Sequence, residues 1–201
     1  MNKKYSVIKV VLSIIIIVLG YLIYESIMRP VRFNAATKSR EAKVIQRLMD
    51  IRTSQQFYKR EFNRHTASFD TLISFLTKGE IPVVRMVPDP TDTTFTKSIK
   101  DTLGFVKVAD SLFSKRVNFV LDSLRYIPFA GDKEFEIAAG QVDRSGLKVS
   151  VYEIKAHYST FLDGLDRQLV TNLIKSREDI DKYPGLKVGS MDEPSTDGNW
   201  E

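Results

Sequence analysis

The first clear pattern in the chain is a long apolar run near its N-terminus. Residues 10–24 read VVLSIIIIVLGYLIY, fifteen residues without a charge, of which eleven are Ile, Leu or Val. On an insertion scale these eleven side chains contribute about −0.3 to −0.6 kcal/mol each, or about −5 kcal/mol together. With its flanks, the run approaches the ~20 residues that a bilayer requires. The pattern therefore predicts a transmembrane helix, with residues 1–30 as an N-terminal membrane anchor.

Two other interpretations of this run are less consistent with the sequence. A cleaved signal peptide is disfavoured because no small-x-small cleavage site follows closely, and because Glu25, Arg29 and Arg32 intervene. A buried helix of a soluble domain is disfavoured because the segment is apolar on every face. Basic residues are nearly balanced at the two ends, so charge alone does not predict the side of the membrane. The predicted anchor side chains are Val10, Leu12, Ile14, Ile15, Ile16, Ile17, Leu19, Leu22 and Ile23.

A second helical pattern follows the anchor. Pro30 lacks an N–H, so we expect the membrane helix to break or kink there and helical patterning to resume near Ala36. Charged residues, including Arg47 and Asp50, occupy most faces of this second helix, and we expect them to be exposed to solvent. The apolar face predicts either the central helix of a domain, packed on a sheet, or a coiled-coil seam with a partner subunit. This face consists, at spacings of four and three, of Val44, Leu48, Ile51, Gln55, Tyr58 and Phe62.

The chain then turns into a short second helix. Residues 63–66 (NRHT) are typical of a turn, and Ser68 is suited to cap a helix over Phe69–Leu76, where apolar side chains recur with helical spacing. Gly79 is expected to end this helix in the left-handed conformation. An extended segment is predicted from Ile81 onward.

Strand signals dominate the region that follows. Residues 86–100 combine prolines with Thr and Asp and predict a loop, whereas LRYIPF at 124–129 predicts a short strand. Residues 135–142 and 147–156 flank DRSG at 143–146 and predict a β-hairpin. The sequence thus predicts an α+β fold, with a transmembrane helix and a long amphipathic helix packed on a small, three-stranded antiparallel sheet.

The C-terminal region begins as a helix and ends in a segment of different composition. A helical stripe consists of Leu162, Leu165, Leu169 and Leu173. Beyond Ile180, Gly, Pro, Ser and Asp become frequent, so residues 31–180 are predicted as the α+β domain and residues 181–201 as a tail. Trp200, the only tryptophan, is a candidate docking residue. Three alternatives are open for this side chain: docking on its own domain, docking on a partner, or a place in a free tail.

Composition and motifs argue against several classes of function. The absence of cysteine excludes disulfides, thiolate zinc sites, cysteine nucleophiles and a lipoprotein anchor, and the net charge of +5 is mild. The two histidines, His65 in a turn and His157 at a strand end, are predicted to be exposed polar residues. The chain lacks a Gly-rich phosphate loop, a Gly-x-Ser-x-Gly elbow and the mixture of basic and aromatic residues typical of nucleic-acid binding. We therefore predict a protein that is not an enzyme, with no metal, cofactor or nucleic-acid partner.

The organisation of residues 10–82 resembles that of type IV pilins and of the pseudopilins of type II secretion. The likeness rests on the apolar helix, Tyr58, the turn at 63–66, the short helix Phe69–Leu76 and the Gly79–Pro82 exit. It implies an N-in anchor, an extracytoplasmic domain, and a role in assembly rather than catalysis. The chain lacks the glycine before the apolar run and the glutamate inside it that prepilin processing requires, so we do not expect such processing. DSLRYIPF and the final GNWE resemble segments of envelope proteins from Bacteroidetes-like bacteria.

Two functions are consistent with these sequence features. The first is a single-pass structural or scaffolding subunit of a bacterial envelope assembly, such as a secretion or pilus-like apparatus. It would reside in the inner membrane with its domain in the periplasm, and its partners would be the membrane, other membrane or envelope proteins, and a second copy in a homo-oligomer. The alternative is a membrane-tethered extracytoplasmic sensor or ligand-binding module.

Overall fold

One helix of 60 residues, α1 (Lys3–Phe62), is the principal element of the computed structural model, which describes residues 3–88, 98–114, 116 and 119–201. Pro30 lies inside α1, so the helix does not break there, and of the two expected outcomes only a kink stays a prediction. A single proline removes one backbone hydrogen bond, here to the carbonyl of Ser26, and the flanking turns continue the helix across it. The N-terminal part of α1 is long and apolar enough to cross a membrane, with a mean hydropathy of 2.4 over its most apolar window.

The two halves of α1 differ in what surrounds them. Side chains from Ile8 to Tyr24 are exposed, whereas Val44, Leu48 and Ile51 are 0% exposed in the second half. Contacts of α1 with the sheet and with the next helix account for this burial. The helix therefore changes from an isolated apolar rod into the central element of a folded domain.

The second helix, α2 (Phe69–Lys78), forms where the sequence predicted it. The Ser68 hydroxyl caps it by accepting a hydrogen bond from the N–H of Thr71 at 3.4 Å. The left-handed conformation expected at Gly79 was wrong, since its φ is −68°. Glycine fits this position for another reason, because a Cβ there would lie 2.5 Å from the carbonyl oxygen of Phe75.

Helix α1 packs against a three-stranded antiparallel sheet, whose strand order is β3-β4-β5. Its strands are β3 (Glu136–Arg144), β4 (Leu147–His157) and β5 (Gly185–Gly189). The predicted β3–β4 hairpin is confirmed, and its two-residue turn has φ of 55° at Ser145 and 83° at Gly146, as a type I′ turn requires. Tyr152, Ile154 and Ala156 alternate along β4 and are buried in the core. The α+β class is thus confirmed.

The third strand of this sheet is not the predicted LRYIPF segment. A short 3₁₀ helix (Leu121–Leu124) precedes it, and only an isolated bridge joins Tyr126 to Glu134. Phe129 has a φ of 67°, and the N–H of Ile127 donates to the carbonyl of Lys133 at 2.9 Å. The segment is therefore a reversal of the chain, and β5 occupies the sheet position instead.

A separate two-stranded ribbon replaces part of the predicted loop at 86–100. Its strands are β1 (Glu80–Pro88) and β2 (Ser98–Lys107), which pair antiparallel with a register shift between Val83 and Val84. The short helix α3 (Val108–Phe113) follows β2 directly. The remainder of the predicted loop, residues 89–97, lies outside the described residues.

Two further helices complete the domain, α4 (Tyr158–Phe161) and α5 (Arg167–Glu178). The predicted leucine stripe does not form one helix, since Leu162 and Leu165 lie in the turn between α4 and α5 and only Leu169 and Leu173 lie on α5. Gly164 has a φ of +79°, and Asp166 caps α5 by accepting from the N–H groups of Gln168 and Leu169 at 3.0 and 3.2 Å. Leu162 is consequently buried at 1% exposure, whereas Leu169 is only half-buried on α5.

Two buried polar side chains of α1, Gln55 and Asp50, are paired with residues outside that helix. The Gln55 amide bonds both backbone groups of Thr66, donating at 2.7 Å and accepting at 3.2 Å, and so fixes the α1–α2 turn. Asp50 was expected to be wet, but it is 5% exposed and forms a two-pronged ion pair with Arg116. A buried carboxylate requires such a partner, which lies 66 residues away and has no local signature in the sequence.

Candidate interaction surface

The predicted anchor residues line the free half of α1. All nine side chains, from Val10 to Ile23, are between 47% and 71% exposed. An unpartnered apolar surface of this extent is unusual on a protein in water. Its chemistry suits a lipid environment, where every backbone group of a helix is satisfied internally.

Most of the predicted packing face of α1 is buried inside the same chain, and its last residue is exposed. Val44, Leu48, Ile51 and Tyr58 lie in the core of the same chain and are 0–5% exposed. They are therefore not available as a seam for a partner subunit. Phe62, at the end of the helix, is 48% exposed and contacts the ring of Phe75 at a centroid distance of 5.6 Å.

Trp200 lies against its own domain. It packs on the hydrophobic core and borders a cavity of about 320 Å³ together with Tyr158, Arg177 and Leu186. The neighbouring Glu201 carboxylate pairs with Arg52 of α1 at 2.6 Å. Residues 181–201, predicted as a tail, thus provide β5 and a closing segment, because β5 is held by backbone pairing to β4 that composition does not reveal.

His65 is not the exposed turn residue that the sequence predicted. It is 7% exposed, its ring centroid lies 4.5 Å from that of Tyr152, and its Nδ1 has no hydrogen-bond partner among the described residues. Burial, and next the charge of Lys59, lower the pKa of His65 to about 4. The imidazole therefore stays neutral in the folded protein over most of the acidic range.

We expect this histidine to make stability depend on pH. Above about pH 6.5 it is neutral in both states, and between about 6.5 and 4 only the unfolded chain takes up the proton. The free energy of unfolding should consequently fall by about 3 kcal/mol as the pH drops across this range. Urea unfolding followed by Trp200 fluorescence measures it. His65→Gln should remove the His65 contribution and His157→Gln should retain it; equal pH profiles for all three proteins would contradict the prediction.

Outside the apolar half of α1, exposed apolar side chains are most frequent on the β1–β2 ribbon. Met86 is 63%, Leu103 60% and Phe105 66% exposed, with Val83 at 42% and Val106 at 39%. Register places Phe105 opposite Pro82 on one face and Val106 opposite Ile81 on the other. The ribbon therefore offers apolar contacts on both faces rather than one.

The ribbon is joined to the body of the domain at its base. The N–H of Val108 donates to the carbonyl of Gly79 at 3.0 Å, and β2 contacts α2 and α3. Beside the base, the ring of Phe75 packs on Tyr58 and Phe62 with centroids 5.3 and 5.6 Å apart. A groove of about 610 Å³, lined partly by these rings, opens next to it. The ribbon is thus held at the end of α1 remote from the apolar half.

Isolated two-stranded ribbons are at best marginally stable in water. Within the described part of the chain, no third strand pairs with either edge of this ribbon. Pro82 weakens β1 as a pairing edge because it has no N–H, whereas β2 contains no proline. The edge of β2 and the apolar faces are therefore suited to contact another protein. We call β1–β2 the distal ribbon.

The sequence predicted an extended segment from Ile81 onward but not the distal ribbon, because Pro88 and Pro90 were interpreted as loop signals. The available signal was the density of β-branched and aromatic residues in EIPVVRMVP and SIKDTLGFVK, on either side of a polar connection.

The described side chains include no candidate metal site. Among residues 3–88, 98–114, 116 and 119–201, no three His, Asp or Glu side chains are grouped to hold a metal ion. The features that remain are an exposed apolar helix at one end and the distal ribbon at the other. No protein-family model matches the chain, and no curated protein or solved structure matches it significantly.

Proposed function

We propose that this chain is a single-pass structural subunit of a bacterial envelope assembly, such as a secretion or pilus-like apparatus. One observation carries the proposal: a single helix has an exposed apolar half and a second half that forms the core of a folded domain. Such a helix couples a membrane anchor directly to the domain, without a flexible linker. The domain would therefore stand in a defined position above the bilayer.

The length of α1 determines where the distal ribbon would lie. Arg29 and Phe62 are separated by about 50 Å along a helix that rises about 1.5 Å per residue. The exposed apolar residues of the ribbon lie within seven residues of its base at Gly79 and Val108, or about 23 Å. These side chains would then be more than about 20 Å above the level of Arg29, beyond the headgroup layer. Their partner is thus a protein of the envelope and not the lipid that holds the anchor.

We place the domain in the periplasm, with the N-terminus in the cytoplasm, on the basis of the resemblance to pilins and pseudopilins. An alkaline phosphatase fusion tests this side. The fusion point should follow Glu201, which is exposed, because an earlier junction at Pro184 would remove β5 from the sheet. An active fusion is expected. An inactive but well-expressed fusion would show that the domain lies in the cytoplasm instead.

Charges introduced on the distal ribbon should separate the chain from its partners. Leu103→Asp combined with Phe105→Asp is expected to weaken partner binding about tenfold or more, because apolar interface anchors are replaced by carboxylates that resist desolvation. Cross-linking with mass spectrometry in native membranes measures the partners, including a second copy of this chain. Both positions are at least 60% exposed, so the fold should be retained.

The matched control is Leu147→Asp, since Leu147 is 71% exposed but lies on the other sheet. It should leave the cross-links unchanged. Cross-links that survive the double substitution would exclude the ribbon as the interface. A wild-type chain without any membrane-protein neighbour, which is monomeric and melts higher with a small ligand, would instead support the binding-module alternative.

A further inference from the structure

A groove lies where the apolar half of α1 meets the domain. It has a volume of about 390 Å³ and separates the end of the anchor from the first turn of α5. The ion pair between Arg29, which lines the groove, and Asp166, at 2.5 Å, links α1 to the capped start of α5. The residues that line it are Leu22, Glu25, Ser26, Arg29, Pro30, Gln168 and Leu169.

The height of this groove follows from the anchor. Tyr5 and Tyr24 bracket the apolar run and are about 29 Å apart along the helix. This distance matches the hydrocarbon thickness of a bilayer, and tyrosine is enriched at its interfaces. Tyr24 is 57% exposed on the side of the domain. If the helix spans the membrane, the groove between Leu22 and Pro30 lies in the headgroup layer.

The walls of the groove offer both kinds of contact that a phospholipid requires. Leu22, Pro30 and Leu169 provide an apolar surface that continues the lipid-facing surface of the anchor. Arg29 lines the groove, and Arg32 lies beside it, one turn further along α1, where it pairs with the groove residue Glu25. The side chains of Arg29 and Arg32 are 58% and 57% exposed, and each pairs with one carboxylate. A guanidinium has five N–H donors, so both retain donors for phosphate oxygens.

Pro30 leaves a backbone hydrogen-bond acceptor unpaired beside the same groove. Because proline has no N–H, the carbonyl of Ser26 lacks its ordinary partner in the helix. In the hydrocarbon core such an unpaired group would cost several kcal/mol, whereas water and headgroup donors satisfy it at the interface. This position of the proline is independent of the tyrosine spacing and gives the same level in the bilayer.

We propose that this groove binds a phospholipid of the surrounding bilayer, with an acyl chain against Leu22 and Leu169 and the phosphate near Arg29 and Arg32. The bound lipid connects the start of α5 to the membrane surface. It thereby fixes the orientation of the domain, and hence of the distal ribbon, relative to the bilayer. The proposal rests on the membrane anchoring of the proposed function.

Fluorescence quenching in nanodiscs tests the proposal on the full chain. The natural sequence has no cysteine, so single cysteines at Gln168, Ile15 and Leu147 can each carry an environment-sensitive fluorophore. The nanodiscs contain phosphatidylcholine and phosphatidylglycerol, with a nitroxide either on the choline headgroup or deep in the acyl chain. We expect Gln168→Cys to lose fluorescence with the headgroup nitroxide, Ile15→Cys to lose it with the deep nitroxide, and Leu147→Cys to lose none.

A second substitution separates lipid binding from mere proximity to the membrane. Leu169→Asp places a charge on the apolar wall and should largely abolish the fluorescence loss at position 168. Ser176→Asp adds the same charge to an exposed position of α5 outside the groove and should leave that loss intact.

The outcomes distinguish this proposal from the anchoring on which it rests. If position 15 is quenched but position 168 is not, or if Leu169→Asp has no effect, the anchor stands and the lipid site is excluded. If position 15 is not quenched by the deep nitroxide, the helix does not span the membrane. The proposed function then fails together with the lipid site.

Discussion

Replacing Leu48 with alanine is expected to lower the free energy of unfolding by about 2–5 kcal/mol. Leu48 is 0% exposed and lies in the core that α1 forms with the sheet and α2. Its truncation removes apolar contacts and leaves a cavity that the rigid helix cannot close. Because domains of this size are stable by only about 5–15 kcal/mol, the substitution removes a large fraction of the total.

Met49 provides the control for this substitution. It is the next residue on α1, is 40% exposed, and has a side chain of similar volume. Met49→Ala should change the unfolding free energy by less than about 1 kcal/mol. Urea unfolding of the detergent-solubilised chain, followed by the fluorescence of Trp200, measures both variants, since this indole packs on the core. Equal destabilisation by the two substitutions would show that α1 is not packed as described.

Local signals were sufficient to predict the elements around α1. The spacing of apolar side chains identified the face that contains Leu48, Ser68 identified the start of α2, and the Ser145-Gly146 turn identified the β3–β4 hairpin. Each of these features depends on residues within a few positions of one another. The capping hydroxyl and the positive φ angles are local requirements, so the sequence expresses them directly.

Features that depend on distant partners could not be predicted in the same way. Asp50 is buried because Arg116 reaches it, and His65 is buried beneath Tyr152 of β4. Likewise, Gly185 permits a close approach to the backbone of Ala156, so a segment with the composition of a tail becomes a strand. In each case the partner is far away in the chain, and neither residue type nor spacing indicates it.

The candidate sites show the same distinction between local features and features that depend on distant residues. The anchor was predicted from an uninterrupted apolar run, which is a local property. The distal ribbon and the groove beside Leu169 were not, because the exposure of Phe105 and the meeting of α5 with residue 29 are properties of the folded chain. An apolar residue in a strand is ordinarily interpreted as core, and only the fold shows that the ribbon lacks a cover in the described structure.

Two arginines in the anchor should release the chain from the membrane. Insertion of residues 10–24 is favoured by about −5 kcal/mol, and each arginine near the centre of a span costs about 2.5–3.5 kcal/mol. Ile15→Arg together with Ile17→Arg also removes two favourable side chains, so the sum becomes unfavourable. The variant should move from the membrane pellet to the soluble fraction under carbonate extraction, whereas wild type stays in the pellet.

The folded domain should survive this change, because Ile15 and Ile17 are 47% and 71% exposed and lie in the apolar half of α1, outside the core. Trp200 emission should therefore match that of the wild type. Leu147→Arg with Ile180→Arg is the control, since these residues are 71% and 56% exposed on the domain itself. It adds the same charge but should leave the chain in the pellet. If the anchor variant also remains there, lipid contact of residues 10–24 is not what holds the chain at the membrane, and the height assigned to the distal ribbon no longer follows.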